Sequence, residues 1–372
     1  MAHRDTITLF LCGDIMTGRG IDQILPHPAR PDLHEPYVHS ALDYLRLAEA
    51  HCGPIERPVG FAYVWGMALD ELVRVDPDAR IVNLETAVTR CEDWDDKGIN
   101  YRMNPANVGV LTAARLDCCV LANNHVLDWG RCGLEETLST LRGAGLRAAG
   151  AGMDSGQASK PAEIPLAGGG RVLTFAYALP SSGVPGWWAA RADRPGMNFL
   201  PALDDAALGR VRADVRASRR PEDFVVVSLH WGGNFDFDIP DAQRGFAHAL
   251  IDEVGTDVVH GHSSHHVKGI EVYRNRPIFY GCGDFLNDYE GIEGIGATFR
   301  DDLTCMYFPV MRRDGGGLAT CKLTPLRMRR FRLGYPDETD FEWLRETLRR
   351  ECARFGVGVD EGDGHRLSLR WS

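Results

Sequence analysis

The chain has no Cys-x-x-Cys pair, no basic excess and no apolar run that approaches the length of a membrane span. Its ten cysteines are scattered, and Cys12, Cys118, Cys119 and Cys282 lie inside apolar runs. That distribution argues against a thiolate zinc site or a disulfide framework and predicts reduced, buried thiols in a cytoplasmic protein. A net charge of −11 argues against a non-specific nucleic-acid or anionic-membrane surface, because both carry basic residues in excess. After His3 and Arg4 only about seven apolar residues precede Asp14, short of a signal peptide and far short of the ~20 residues that span a bilayer. Neither a membrane nor a nucleic acid is expected as a partner. Lysine occurs only at positions 97, 160, 268 and 322, a bias to which no function attaches.

What is present in abundance is the short apolar segment that runs into a polar residue of the metal-ligand type. Six occur: Ile7 to Asp14, Ile81 to Glu85, Cys118 to His125, Phe224 to His230, Asp257 to His266 and Pro277 to Asp284. Stretches with helical spacing lie between them, at 41–50, 66–75, 133–143, 204–216 and 242–254, and this alternation indicates an α/β fold. In such folds the carboxyl ends of the strands gather along one rim, so residues far apart in sequence converge there. Residues 20–66 contain six prolines and form a long excursion after the first strand, and 180–188 form a loop that is expected to present Trp187 and Trp188. The last forty residues carry a charged helix from 341 to 355 and a tail. The expected division is a catalytic domain over 1–330, with 331–372 packed on it.

Each strand-end residue has a plain structural reading beside the functional one. Gly13-Asp14 serves equally as a strand-terminating turn, and Glu85 as a cap for the segment that follows. Asn123-Asn124-His125 is sharper, because an amide and an imidazole at a strand end are costly to bury without partners. His230 fits either a satisfied core histidine or a ligand. Gly261-His262-Ser-Ser-His265 places two imidazoles three residues apart in a turn, whereas no ligand role attaches to His260 or His266. Carboxylate, amide and imidazole donors without thiolate favour Mn²⁺, Fe or Zn²⁺ over Mg²⁺. With five or six donors available, two divalent ions bridged by a carboxylate are more plausible than one.

Gly13-Asp14-Ile-Met, Asn83-Leu-Glu85, Asn123-Asn-His-Val-Leu-Asp-Trp-Gly130, His230-Trp-Gly and Gly261-His-Ser-Ser-His265 resemble, in order and spacing, the CapA family. These are relatives of the capsule poly-γ-glutamate synthesis protein within the calcineurin-like metallophosphoesterase superfamily. The resemblance runs from about residue 7 to 290 and includes Tyr101-Arg-Met-Asn-Pro105 and Phe279 to Phe285. It implies a four-layer αββα sandwich with a two-metal site. Asp14 and His265 would hold the first ion, Glu85 would bridge, and Asn124, His230 and His262 would hold the second. His125 would face the substrate as acid or electrostatic stabiliser. Four positions depart from the pattern: Met16 stands where a further His is usual, Glu85 where Asp is, Lys268 where Gln is and Asp284 where Asn is.

The resemblance and the missing anchor together imply an enzyme of the kind that epimerises the Cα of a C-terminal residue in a ribosomal lasso precursor peptide. Two cations would clamp the carboxylate, His125 and either Lys268 or Asp284 would exchange the proton, and no PLP would be needed. Asp284 also suits an acceptor for a ligand histidine, and a solvated loop lysine is the plain reading of Lys268. The alternatives are a metallophosphoesterase and a poly-γ-glutamate-type capsule biosynthesis enzyme.

Overall fold

A computed structural model describes residues 5–292 and 298–372 of the chain; His3 and Arg4 lie outside the described residues. Two large sheets stack with helices on their outer sides. The first, of ten strands, has a parallel half ordered Thr6–Ile15, Ala79–Leu84, Cys118–Val120, Arg147–Ala149. Its other half is antiparallel and built from the chain's last third, with Leu303–Arg312 paired to the first strand and Gly317–Arg329 beyond it. The second sheet, of six strands, centres on Arg171–Ala178, Phe224–His230 and Val258–His262, all parallel.

The burial of alternate residues shows the layering. In Arg171–Ala178 and Phe224–His230, Leu173, Phe175, Tyr177, Val225, Val227 and Leu229 pack with Leu208 and Val211 of helix Asp205–Ser218 and Phe246 of helix Asp241–Ala249. The intervening Val172, Ala176 and Val226 point the other way, into the core shared with the first sheet. A period of two that feeds two separate cores is what a strand does when it is covered on both faces. Thr6–Ile15 and Ala79–Leu84 are likewise buried on both faces, and helices Ala41–Cys52, Met67–Val75 and Gly130–Gly143 add Leu45, Leu72 and Leu134 to their core. The result is a four-layer αββα sandwich.

Local sequence explains the helix starts. Ser40, Asp204 and Asp337 each occupy an extended position and accept a backbone N–H from the first turn with the side chain, which satisfies one of the donors that a helix leaves unpaired. The helical spacing expected at 242–254 is real, but it divides into the α-helix Asp241–Ala249 and a π-turn over Leu250–Val254.

Three expectations need correction. The apolar run from Pro277 to Asp284 is two strands, because Arg276–Phe279 belongs to the second sheet and Asp284–Leu286 pairs with Thr6–Ile15 in the first. The crossing is tight: a Cβ on Gly13 would meet the Gly283 carbonyl, and Gly283 itself has φ +76, so both positions need glycine. Second, Cys91 and Cys132 are joined in a disulfide with Cα atoms 6.2 Å apart, whereas the eight other cysteines are buried and free. The paired residues flank an irregular segment and a helix start, outside the apolar runs that made the rest read as core. Third, Trp188 is only 3% exposed, so the 180–188 loop presents Trp187 alone.

Residues 358–362 and 366–370 form a hairpin that joins the first sheet through Lys322↔Ser368 and Leu323↔Leu367. Glu71, on Met67–Val75, ties this hairpin down. It accepts from Arg366 at 2.7 Å, Arg74 at 2.6 Å, Tyr335 at 2.8 Å and Thr324 at 3.0 Å. Burial opposes the charge on Glu71, but these four donors hold its pKa well below the usual carboxylate range. A depressed folded-state pKa gives stability that is present above the unfolded value near 4.5 and lost as pH falls through the folded one. Glu71→Gln is therefore expected to lower unfolding free energy by about 2–3 kcal/mol at pH 7, the arginine partners being partly solvated. Urea titrations should show the difference between variant and wild type shrink as pH drops below 4.5.

Candidate metal centre

Strand register assembles the site. In the first sheet Asp14 stands opposite Asn83 on one side and Asp284 on the other. In the second, His230 stands opposite His262. Glu85 follows Leu84 directly, and Asn124 and His125 lie just past Cys118–Val120. Gathering polar ends from both sheets at one rim leaves Asp14, Glu85, His125, His230, His262, His265 and Asp284 all buried.

These groups form two clusters with donor atoms close enough to share an ion, Asp14/His230/His262 and Asp14/His265/Asp284. Asp14 is common to both. His230 Nδ1 lies 2.7 Å from His262 Nδ1, and His230 Nε2 lies 3.0 Å from the Asn124 amide oxygen and 3.9 Å from Glu85. His265 Nδ1 lies 2.7 Å from Asp284 Oδ1. The buried arrangement suits a cation. Burial and the nearby Asp284 push the Asp14 carboxyl up to about 7, and burial with the nearby Asp14 raises Glu85 as well. Burial holds His230 and His262 far below the usual imidazole range, so both stay neutral with lone pairs to offer. His265 behaves oppositely, because the Asp284 carboxylate outweighs its burial and raises it. Three carboxylates crowded with neutral imidazoles are what a divalent ion relieves, and oxygen with nitrogen donors fits Mn²⁺, Fe or Zn²⁺.

Asp284 lies where Met16 offers no hard donor. Met16 is fully buried, its sulfur 3.5 Å from the Tyr289 hydroxyl, and the carboxylate that completes the cluster with Asp14 and His265 comes from the neighbouring strand. His260, to which sequence assigned nothing, backs the other cluster: its Nδ1 is 3.0 Å from Ser228 Oγ, and the same hydroxyl is 2.8 Å from His262 Nε2. Asn83 donates to Asp14 Oδ1 at 2.7 Å and Asn123 donates to the Asn83 amide oxygen at 3.0 Å, so a chain of amides orients the shared carboxylate.

His125 stands at the edge of the clusters, Nε2 3.8 Å from Glu85 and Nδ1 2.6 Å from Asp128. Lys268 is elsewhere. Its ammonium is held by Asp236 at 3.0 Å and the Asp238 carbonyl at 2.7 Å, and it touches none of the clustered groups. Sequence reasoning passed over Lys97, Asp128 and Arg19. Arg19 is buried between Asp288 and Glu35 and beneath the Tyr44 ring, where it braces the turn after Met16. A glycine-rich turn with a buried arginine was a signal in principle, but no spacing rule points to it.

The family profile described as "Bacterial capsule synthesis protein PGA_cap" matches residues 8–289. The chain belongs to that family. It is 46% identical over 358 residues to a "Probable polyglutamine synthesis accessory protein" of Mycobacterium tuberculosis, covering 95% of this chain and 93% of the relative. It is 27% identical over 284 residues to the "PGA biosynthesis protein CapA" of Bacillus subtilis, covering 76% and 64% of the two chains. Among solved structures, a phosphatase from Mycoplasma pneumoniae superposes with a TM-score of 0.46 at 8% identity, over 90% of this chain and 96% of that one. Among the described residues of this PGA_cap member, no helix is long and apolar enough to cross a membrane.

Metal content separates the two clusters. Asp284→Asn and His262→Ala are each expected to lower the content of the Mn²⁺-reconstituted protein from about two ions per chain to about one. His260→Asn, which alters a side chain that contacts the supporting hydroxyl and the Cys12 carbonyl but supplies no donor to either cluster, should keep both ions with about 10–100-fold weaker affinity at one of them. Elemental analysis and competition with a chelating dye would check all three.

Proposed function

We propose that the chain is a two-ion, metal-dependent hydrolase of a phosphoester, working as an accessory enzyme in the synthesis of an amino-acid polymer. The observation that carries the reading is the pair of donor clusters that share Asp14, with the His125–Asp128 pair at their edge. The names of the mycobacterial and Bacillus relatives, which refer to polyglutamine and PGA synthesis, support the pathway.

Divalent cations held by Asp14, Glu85, Asn124, His230, His262, His265 and Asp284 would supply Lewis acidity toward the phosphoryl oxygens. The chain's own residues do the rest. In hydrolysis a water oxygen bonds to phosphorus and gives up a proton, the bond from phosphorus to the leaving oxygen breaks, and that oxygen takes a proton. His125 Nε2 faces the clusters with its lone pair and takes the proton from the attacking water, then passes it to the leaving oxygen, while Asp128 accepts from Nδ1–H and fixes the ring. Burial, reinforced by Lys97, pushes the His125 pKa well below its usual value, so a proton set on Nε2 leaves readily. Asn83 and the Ser263 N–H, donating to the two oxygens of Asp14, keep the shared carboxylate in one orientation.

Epimerisation of a peptide's C-terminal residue is the second reading. The exposed Trp187 and the relatives named for amino-acid polymers favour it. It uses the same clusters to clamp a carboxylate, but it needs proton-transfer groups on both faces of Cα. Of the partners available opposite His125, Lys268 is tied to Asp236 and Asp284 lies within a donor cluster. Hydrolysis needs only one such group, and His125 fills it.

The two readings separate in one pair of assays. Mn²⁺-loaded protein is expected to turn over phosphomonoesters or phosphodiesters, with His125→Ala lowering kcat by about 10²–10⁴-fold. If the fully loaded protein hydrolyses no phosphoester, yet incorporates one deuteron per turnover into a peptide's C-terminal residue in D₂O, hydrolysis is wrong and epimerisation right.

A further inference from the structure

Lys97 comes from an irregular segment, 91–100, that is fastened at several points. Cys91 is bonded to Cys132 on the helix Gly130–Gly143. The Asp95 N–H donates to the Asp128 carbonyl at 2.8 Å, and Trp188 Nε1 donates to Asp95 Oδ2 at 2.8 Å. Asn100 Nδ2 donates to the Asp95 carbonyl at 2.9 Å. The lysine is therefore delivered by built structure. Its ammonium lies 2.7 Å from Asp128 Oδ1 and 3.3 Å from His125 Nδ1, donates to the Asn124 carbonyl, and lies 5.1 Å from the centre of the Trp188 ring.

These contacts engage both carboxylate oxygens of Asp128. One carboxylate oxygen takes Lys97, and the other accepts from the Tyr101 N–H at 2.6 Å and from His125 Nδ1 at 2.6 Å. With both Asp128 oxygens engaged, the 2.6 Å contact assigns the His125 proton to Nδ1 and turns Nε2 toward Glu85, and the edge-on Tyr101 ring, 4.4 Å away, closes the remaining side. The same ammonium pins the backbone carbonyl of Asn124, whose side chain reaches His230.

We infer that Lys97 is a positioning residue of the site: it locks Asp128 and thereby holds His125 in the orientation and tautomer that direct Nε2 at the donor clusters. This rests on the reading of His125 as the proton-transfer group. A misplacement of about 1 Å at such a group costs about a hundredfold in rate.

The test uses Lys97→Met and Lys97→Arg in the full chain, with ¹⁵N-histidine labelling and Zn²⁺ loading, which is diamagnetic. Lys97→Met should shift the His125 ring-nitrogen signals away from the Nδ1–H form while metal content stays at the wild-type level. On any phosphoester that the wild type turns over, kcat should fall about 10–100-fold with KM nearly unchanged, and Lys97→Arg should restore most of both signals. A purely structural lysine would lower the melting temperature without moving the tautomer or splitting kcat from KM. If Lys97→Met destabilises the fold too far to measure, Asp128→Asn replaces it, with the same tautomer shift expected. Unchanged His125 signals and unchanged kcat in a folded Lys97→Met protein would overturn the inference. Absence of phosphoester turnover in the wild type would overturn the hydrolase reading and leave the nitrogen spectra to decide the role of Lys97.

Discussion

The carboxylate of Asp14 is the constraint around which the rest of the site is arranged. It lies fully buried at the seam of the two sheets, paired by register with Asn83 and Asp284 in its own sheet and reached by the Ser263 N–H from the turn after Val258–His262. An isolated charge in such a place is costly, and the structure compensates with oriented dipoles and with neutral imidazoles placed to share a cation. The seam admits no larger residue beside it, since a Cβ at Gly13 would strike the Gly283 backbone. The two clusters share Asp14 because the sheets meet there.

From that seam the supporting groups follow in order of distance. Asn83 and Asn123 relay an amide hydrogen bond toward Asp14 along the first sheet, and Ser228 with His260 backs His262 along the second. His260 Nε2 lies 2.8 Å from the Cys12 carbonyl, so the support for one cluster is anchored on the strand that carries Asp14. The two sheets are thus joined by polar contacts at the rim and by apolar packing elsewhere. Displacing either sheet would misalign both clusters.

Much of this was legible in the sequence because strand ends announce themselves. Five of the six apolar segments run as single strands toward the rim, and of the histidines in 260–266 two, His262 and His265, enter the donor clusters. What stayed illegible depends on pairing between distant segments. The run from Pro277 to Asp284 reads as one strand, since no local property marks where it changes sheets, and so the adjacency of Asp284 to Asp14 could not be read. Cys91 and Cys132 are 41 residues apart, and only the folded chain brings them together. Lys97 lies among aspartates in a segment without periodicity, where a solvated surface residue is the ordinary expectation.

The departures at Met16 and Asp284 belong to one adjustment, and treating them separately misleads. Read alone, Met16 removes a ligand and argues for a weakened first ion. Yet the strand Asp284–Leu286 pairs with Thr6–Ile15, so a side chain at position 284 lies against the same carboxylate that a ligand at 16 would accompany. A carboxylate there also adds a negative charge, which binds a dication more strongly than a neutral imidazole does and raises the basicity of His265 beside it. The first cluster is therefore richer in charge than one built on histidine, and harder in donor character. The second cluster, with two imidazoles beside Asn124, is the richer of the two in nitrogen donors.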